Sequence, residues 1–416
     1  MEFSHCFRGD LPEPIIEEYQ IGPLPNPTLY TRIDHPQWRN PIPYSMRSPF
    51  AEGDMAAWKE FICREMSKIN PVLFDLTGYT YTNDCKEHCL TYSIELPGEL
   101  TTNSRSMWIV VSRVLDDGYL HPIGLQFRVN VSSIRPCDWN VNYVWLRSLT
   151  FENMESLCNS YGDQEVTTKL HLYDVPSVND EINPPINHWS SMNKSAIKQH
   201  QRQKRGPRSY MPDGRRFSVV GRHVSWQGWS FYFNIRSTTG PQLFEVRFRD
   251  RRLVYELSLQ ELVTLHSGAS PSTQFTTIMQ SVNQLGNLAY EMFHGVDCPD
   301  ESVYFDSVHY VRFRPAVYRN SACLFERNGH VPLRRHRRRD PTGILGGEEA
   351  VSGMPDNVLV LRAVIITSNY DYIVDYIFHQ NAILEVACSI SGYIQTRFYT
   401  GNEDNKYGFQ VTVSVI

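Results

Sequence analysis

Apolar and polar positions change rhythm partway along this chain. Met55, Trp58, Phe61, Ile62 and Met66 recur at helical spacing, with Asp54 placed to cap the start, and predict an amphipathic helix. A second stripe, Met154, Leu157, Cys158 and Tyr161, predicts another, with Gly162 able to end it. Both stripes read as core faces rather than cofactor-binding surfaces. Between them lie strand-like runs near 92–96, 107–113 and 124–131. From residue 217 the period becomes two. Phe231, Phe233 and Ile235 alternate with Tyr232, Asn234 and Arg236, and Phe244, Val246 and Phe248 alternate with Glu245, Arg247 and Arg249. Ser237 to Pro241 between them is turn chemistry. Ser258-Leu259-Gln260-Glu261 has the capping-box pattern and predicts one short helix interrupting the sheet. Two further apolar strands, Val358 to Leu361 and Ile373 to Phe378, flank the tetrapeptide Asn369-Tyr370-Asp371-Tyr372.

Composition shifts divide the chain further. The proline-rich Gly22-Pro23-Leu24-Pro25-Asn26-Pro27 reads as a linker closing residues 1–30, a remnant of a preceding domain. Residues 31–178 read as an α/β domain, 179–216 as a polar, basic linker and 217–416 as the first part of a β-sandwich. Arg202-Gln203-Lys204-Arg205 in the linker resembles a secretory processing site, beside the plainer reading of a solvated loop. The predicted class is α+β: a small α/β N-terminal domain, then a truncated large antiparallel β-sandwich.

Bulk properties agree with a globular, β-rich protein. The 416 residues are 41% apolar, 20% charged and 12% aromatic, with 23 tyrosines. A net charge of −5 points to neither nucleic acid nor an anionic membrane as a whole-chain partner, and no apolar stretch is long enough for a membrane span. The first residues, Met1 to Cys6, lack the pattern of a secretory signal, so either the protein is cytosolic or its true start lies upstream. Nine cysteines lean toward export. Cys85 and Cys89 could hold a metal by spacing, but no second pair with zinc-like spacing accompanies them. Asn130-Val131-Ser132 and Asn193-Lys194-Ser195 are glycosylation sequons. Arg334-Arg335-His336-Arg337-Arg338-Arg339 is dense enough to attract polyanions.

The tetrapeptide at 369–372 resembles the signature of the copper amine oxidases, in which the first tyrosine is oxidised in place to topaquinone. The likeness runs from about Pro12 to Gly408. It takes in Gly22-Pro23-Leu24-Pro25, the blocks Phe244 to Phe248 and Val254 to Glu261, Gly295-Val296-Asp297-Cys298-Pro299, Pro332-Leu333-Arg334-Arg335-His336 and Gly392-Tyr393. The motif order matches the animal, diamine-oxidase-like branch. The resemblance implies oxidative deamination of a primary amine or diamine to aldehyde, ammonia and hydrogen peroxide, a homodimer, and an exported protein. It makes Cys85–Cys89 and Cys298–Cys323 disulfides, Tyr370 the quinone precursor, and Asn369, Asp371 and Tyr372 its neighbours.

Several positions depart from the family pattern. The family's catalytic aspartate, a general base, stands eighteen residues before the cysteine of Asp-Cys-Pro, and its gate tyrosine two residues earlier. Here those positions hold Gln280 and Ile278. A third tyrosine, which bonds the quinone, corresponds to His266. Asp306, in Tyr304-Phe305-Asp306, lies on the wrong side of Cys298 to serve as the base and reads as structural. The family's copper ligands include His-x-His, and none of the 14 histidines here are so spaced; the chain stops at Ile416, just before that motif is expected. No metal-binding residue is assigned, and quinone formation and dimerisation are both in question. Three readings follow: a catalytically inactive member of the family, a fragment of an active oxidase, and an extracellular binding or polyanion-binding protein.

Overall fold

A computed structural model describes residues 17–34, 52–82, 84–95, 105–114, 121–133, 135–171, 208–265, 268, 270–311, 314–338, 350–367, 370–392 and 397–398. Most of the basic 179–216 stretch, including Arg202 to Arg205, and the sequon at Asn193 lie outside them.

The first described element is a hairpin, β1 (Tyr19–Gly22) and β2 (Leu29–Arg32). Gly22 to Pro27 is its connecting loop rather than a linker, closed by Thr28 N donating to Gly22 O at 2.9 Å. Then comes α1 (Glu52–Thr77), which starts two residues before the expected cap at Asp54. An antiparallel sheet follows, made of β3 (Leu90–Glu95), β4 (Ser106–Arg113), β5 (Pro122–Asn130), β6 (Asn140–Leu146) and β7 (Leu149–Phe151), in that order. Trp58, Phe61, Ile62 and Met66 of α1 pack in one core with Met107, Ile109, Val111, Leu125 and Phe127. Burial of an amphipathic stripe on a sheet face is the driving force. Two more helices complete the layer, α2 (Met154–Tyr161) and α3 (Gln164–His171). Asn153 and Ser156 form a reciprocal cap at the start of α2, and Gly162 closes its end.

Arg147 ties these helices together. Its side chain is buried, and its guanidinium donates to Leu76 O at 3.1 Å and Leu170 O at 2.8 Å, the last turns of α1 and α3. A cation there complements both helix dipoles.

The β-rich part begins with a five-stranded antiparallel sheet: β8 (Ser218–Val220), β9 (His223–Trp226), β10 (Trp229–Arg236), β11 (Gly240–Phe248) and β12 (Arg251–Ser258). The alternation in β10 holds, with Phe231, Phe233 and Ile235 buried. In β11 it does not: Leu243 and Val246 are buried while Phe244 is half-buried. Glu245 has φ of 49°, and the pairing with β10 shifts register between Phe244 and Arg247, so the faces exchange there.

The helix expected from Ser258 to Glu261 is absent; these residues end β12 and enter a loop. Ser258 Oγ donates to Glu256 Oε1 at 2.7 Å, and Glu261 accepts from Leu262 N at 2.9 Å and Ser281 N at 3.0 Å, so neither side chain caps a helix. The loop holds a two-stranded ladder, β13 (Val263–Thr264) and β14 (Ile278–Met279), around a short helix, α4 (Pro271–Phe275).

A last antiparallel sheet runs β15 (Val303–Val311), β16 (Arg314–Arg338), β17 (Ala350–Ile366), β18 (Tyr370–His379) and β19 (Leu384–Gly392). Its inner face, with Leu359, Leu361, Ile365, Tyr372, Tyr376 and Phe378, shares a core with Phe231, Phe233 and Leu243 of the preceding sheet. Phe231 and Phe378 stack at 4.2 Å across that interface. The N-terminal region touches the β-rich part at defined points. Gln126 Oε1 accepts from Ser272 N at 3.0 Å in a buried contact, Trp108 stacks on Phe275, and Arg397 meets Glu95 at 2.6 Å. The observed architecture is the expected one: mostly antiparallel β with a small N-terminal α/β region.

Candidate functional site

The hairpin between β17 and β18 places the tetrapeptide. Ile365 pairs with Tyr372 and Ile366 with Asp371, and Thr367 closes the turn by donating from both N and Oγ1 to Tyr370 O at 2.8 Å. Tyr370 therefore opens β18, half-buried, with its ring 6.4 Å from that of Tyr372. Asn369 and His266 lie outside the described residues.

The β13–β14 ladder brings a second segment to the same place. Thr264 pairs with Ile278, and Gln280 N donates to Leu262 O at 2.9 Å. The Gln280 side chain is buried and its Nε2 donates to Thr264 Oγ1 at 3.3 Å. Thr264 also lies beside the Tyr372 hydroxyl and draws its pKa down. One threonine thus joins the position expected for the base to the strand that carries Tyr370. Burial holds the Tyr372 hydroxyl above its ordinary pKa, outweighing the opposite pull of Thr264. Beside Gln280, Glu261 accepts from Leu262 N, Ser281 N and Ser281 Oγ, so this nearby carboxylate is already supplied with donors. Ile278 is half-buried in β14.

A charged corner lies behind the tetrapeptide. Asp297 Oδ2 accepts from Phe293 N at 2.6 Å, and Asp297 O accepts from Arg362 Nη1 at 2.8 Å. Arg362 forks onto Asp375 across the strand pair, at 2.7 and 2.6 Å, and lies over the Phe325 ring. The adjacent Cys298 is bridged to Cys323, and Cys85 to Cys89, so both cysteine pairs implied by the resemblance are joined. Asp371 is partly buried near Asp297, and burial first, then that neighbouring charge, raise its carboxyl above the usual range. Asp306 has a structural position, accepting from Asn320 N at 2.9 Å.

Sequence reasoning missed Thr264, Glu261 and Arg362. Nothing local marks Thr264, whose role comes from a two-residue ladder closed over fourteen positions. Arg362 and Asp375 do carry a signal, opposite charges inside two apolar strands, which buried pairing explains.

A buried-faced antiparallel sandwich with a tyrosine at the head of one inner strand defines a class, and comparison with known proteins supplies it. Residues 218–416 match the family described as copper amine oxidase, enzyme domain. The copper-containing diamine oxidases of Sus scrofa and Homo sapiens are each 31% identical to this chain, over 415 and 403 residues. These matches cover 99% and 95% of this chain but 53% and 52% of the relatives, so the chain spans about half their length. Among solved structures, a Pichia pastoris lysyl oxidase has a TM-score of 0.78 at 23% identity, covering 95% of this chain and 52% of that one. An Aspergillus nidulans amine oxidase has a TM-score of 0.72 at 24% identity, covering 94% and 51%. These two likenesses establish the fold. Residues 218–416 therefore belong to the copper amine oxidase family as its enzyme domain.

Proposed function

We propose that this chain is a catalytically inactive copper amine oxidase scaffold. The observation that carries the reading is the Gln280 side chain: a buried amide, donating to Thr264, stands where a primary-amine oxidase needs a carboxylate. Oxidation of a primary amine or diamine requires removal of the α-proton, and an amide accepts no proton near neutral pH. Loss of a positioned base typically costs ~10²–10⁴ in rate. Glu261 does not replace it, because its oxygens are committed to Leu262 and Ser281. Asp371 is drawn toward its neutral form by burial and Asp297.

The implied cofactors fit unequally. Tyr370, which the family resemblance makes the precursor, is half-buried beside Tyr372, and a quinone formed from it would supply the carbonyl that captures an amine. For copper, no three His, Cys, Asp or Glu side chains among the described residues converge on one point, and no step runs through it. The two disulfides favour an exported, extracellular protein.

The test is amine-dependent peroxide release from the full chain, incubated aerobically with a primary diamine, with and without copper. The expected result is none above the amine-free control. Copper-dependent release that disappears in Tyr370→Phe overturns the reading.

A further inference from the structure

The sequon Asn130-Val131-Ser132 sits where β5 ends. Asn130 is the last residue of that strand, between Ser106 of β4 and Asn140 of β6. Directly opposed residues share a face, so its neighbours across the ladder are both polar, and Asn140 is exposed. Val131 points the other way and is buried, and its N donates to Arg105 O at 2.8 Å. Ser132 Oγ accepts from Arg105 N at 2.8 Å, which ties the end of β5 to the residue before β4.

The two polar atoms of the Asn130 amide have different fates. Oδ1 accepts from Ser132 N at 3.1 Å and from Ser132 Oγ at 2.8 Å, the local turn that asparagine forms with the backbone two residues on. The oxygen is therefore fully used. Among the described residues Nδ2 donates to nothing, and it stays open to solvent although the residue is half-buried.

We propose that Asn130 is an N-glycosylation site of the folded protein. In the transfer, Nδ2 bonds the anomeric carbon of an oligosaccharide carried on a lipid diphosphate. The bond from that carbon to the diphosphate oxygen breaks, the electron pair leaves with the diphosphate, and Nδ2 releases one proton. The turn loses nothing, because Oδ1 keeps both of its donors. A bulky, hydrated glycan then leaves the sheet at its polar end, beside Asn140, and keeps that end in water. The proposal rests on the exported reading given above, since the two disulfides form in the oxidising compartment where this transfer takes place.

The experiment directs the full chain into the secretory pathway of cultured animal cells with an added leader and recovers it from the medium and the membrane fraction. Treatment with peptide N-glycosidase in heavy-oxygen water converts each occupied asparagine to a labelled aspartate, which peptide mass spectrometry locates. Label at Asn130 is expected in most copies from both fractions. Asn130→Asp abolishes it while keeping the oxygen that accepts from Ser132, Ser132→Thr retains it, and Asn193→Gln leaves it unchanged. Unlabelled Asn130 in chains whose Cys85–Cys89 and Cys298–Cys323 bridges have formed overturns the site and leaves the exported reading standing. Free thiols at those four cysteines with Asn130 unlabelled overturn the exported reading and the site with it. Label present in the membrane fraction and missing from the medium overturns the claim that the folded protein carries the glycan.

Discussion

Asp375→Asn is the substitution whose cost follows most directly from the structure. Asp375 accepts two short hydrogen bonds from Arg362, at 2.7 and 2.6 Å, and the side chains are 10% and 24% exposed. The asparagine keeps the shape and removes the charge. Arg362 then retains the Asp297 backbone carbonyl, the face of Phe325 and the more distant Asp297 carboxylate, which together replace only part of the lost pairing. Breaking a buried pair from one side costs about 3–5 kcal/mol, and Arg362's partial exposure lowers the expectation to about 2–3 kcal/mol. Urea unfolding followed by tryptophan fluorescence reads this, because Trp226 and Trp229 are buried in the core on the other face of the same sheet, which unfolding exposes. The midpoint falls while the slope stays constant. The paired replacement Arg362→Met/Asp375→Leu removes both charges of the pair, gives up only the bond to Asp297 O, and lies within about 1 kcal/mol of the starting protein. A loss under about 0.5 kcal/mol for Asp375→Asn, or a paired replacement as damaging as the single one, refutes the reasoning.

Other consequences are simpler. Cys298→Ala/Cys323→Ala opens a bridge between residues 25 apart, and denaturant unfolding should show a loss of about 3 kcal/mol. A Cβ on Gly286 would lie 1.8 Å from Arg236 O, so Gly286→Ala forces the segment after Gln280 to move; a drop of about 2 kcal/mol or more in unfolding free energy is expected. His309 is buried beside Arg222, and burial first, then that cation, depress its pKa against the opposing pull of the Gly286 backbone. The unfolded chain therefore binds the proton more readily. The stability linked to neutral His309 is complete above the unfolded value near 6.5 and is lost as pH falls below it. Unfolding midpoints at pH 7.5 and 5.5 should differ less in His309→Gln than in the unaltered protein.

Much of the fold was legible because burial imposes periodicity. The stripes of α1 and α2 and the alternation in β10 are single-faced, and one buried face writes one period into the sequence. α3 escaped notice because it buries only Leu170 fully. β11 misled because the chain kinks at Glu245, where the pairing with β10 shifts and its two faces exchange, and Ser258 to Glu261 misled because their polar groups found partners outside a helix. The bridged cysteine pairs were legible through resemblance, since spacing alone left Cys85 and Cys89 open to another use. At the site, the strand of Tyr370 was plain and the substituted positions could be counted. What joins them was not: Thr264 reaches both Gln280 and Tyr372 only after two short strands have closed, and no local pattern announces a contact of that kind.

The most direct test of the central claim compares amine-dependent peroxide release by the unaltered full chain and by Gln280→Asp, both after exposure to copper and oxygen. An amide at position 280 cannot take the α-proton, so the unaltered chain should release none above its amine-free control. Sustained copper-dependent release from the unaltered chain, not increased by the aspartate and lost in Tyr370→Phe, would contradict the account.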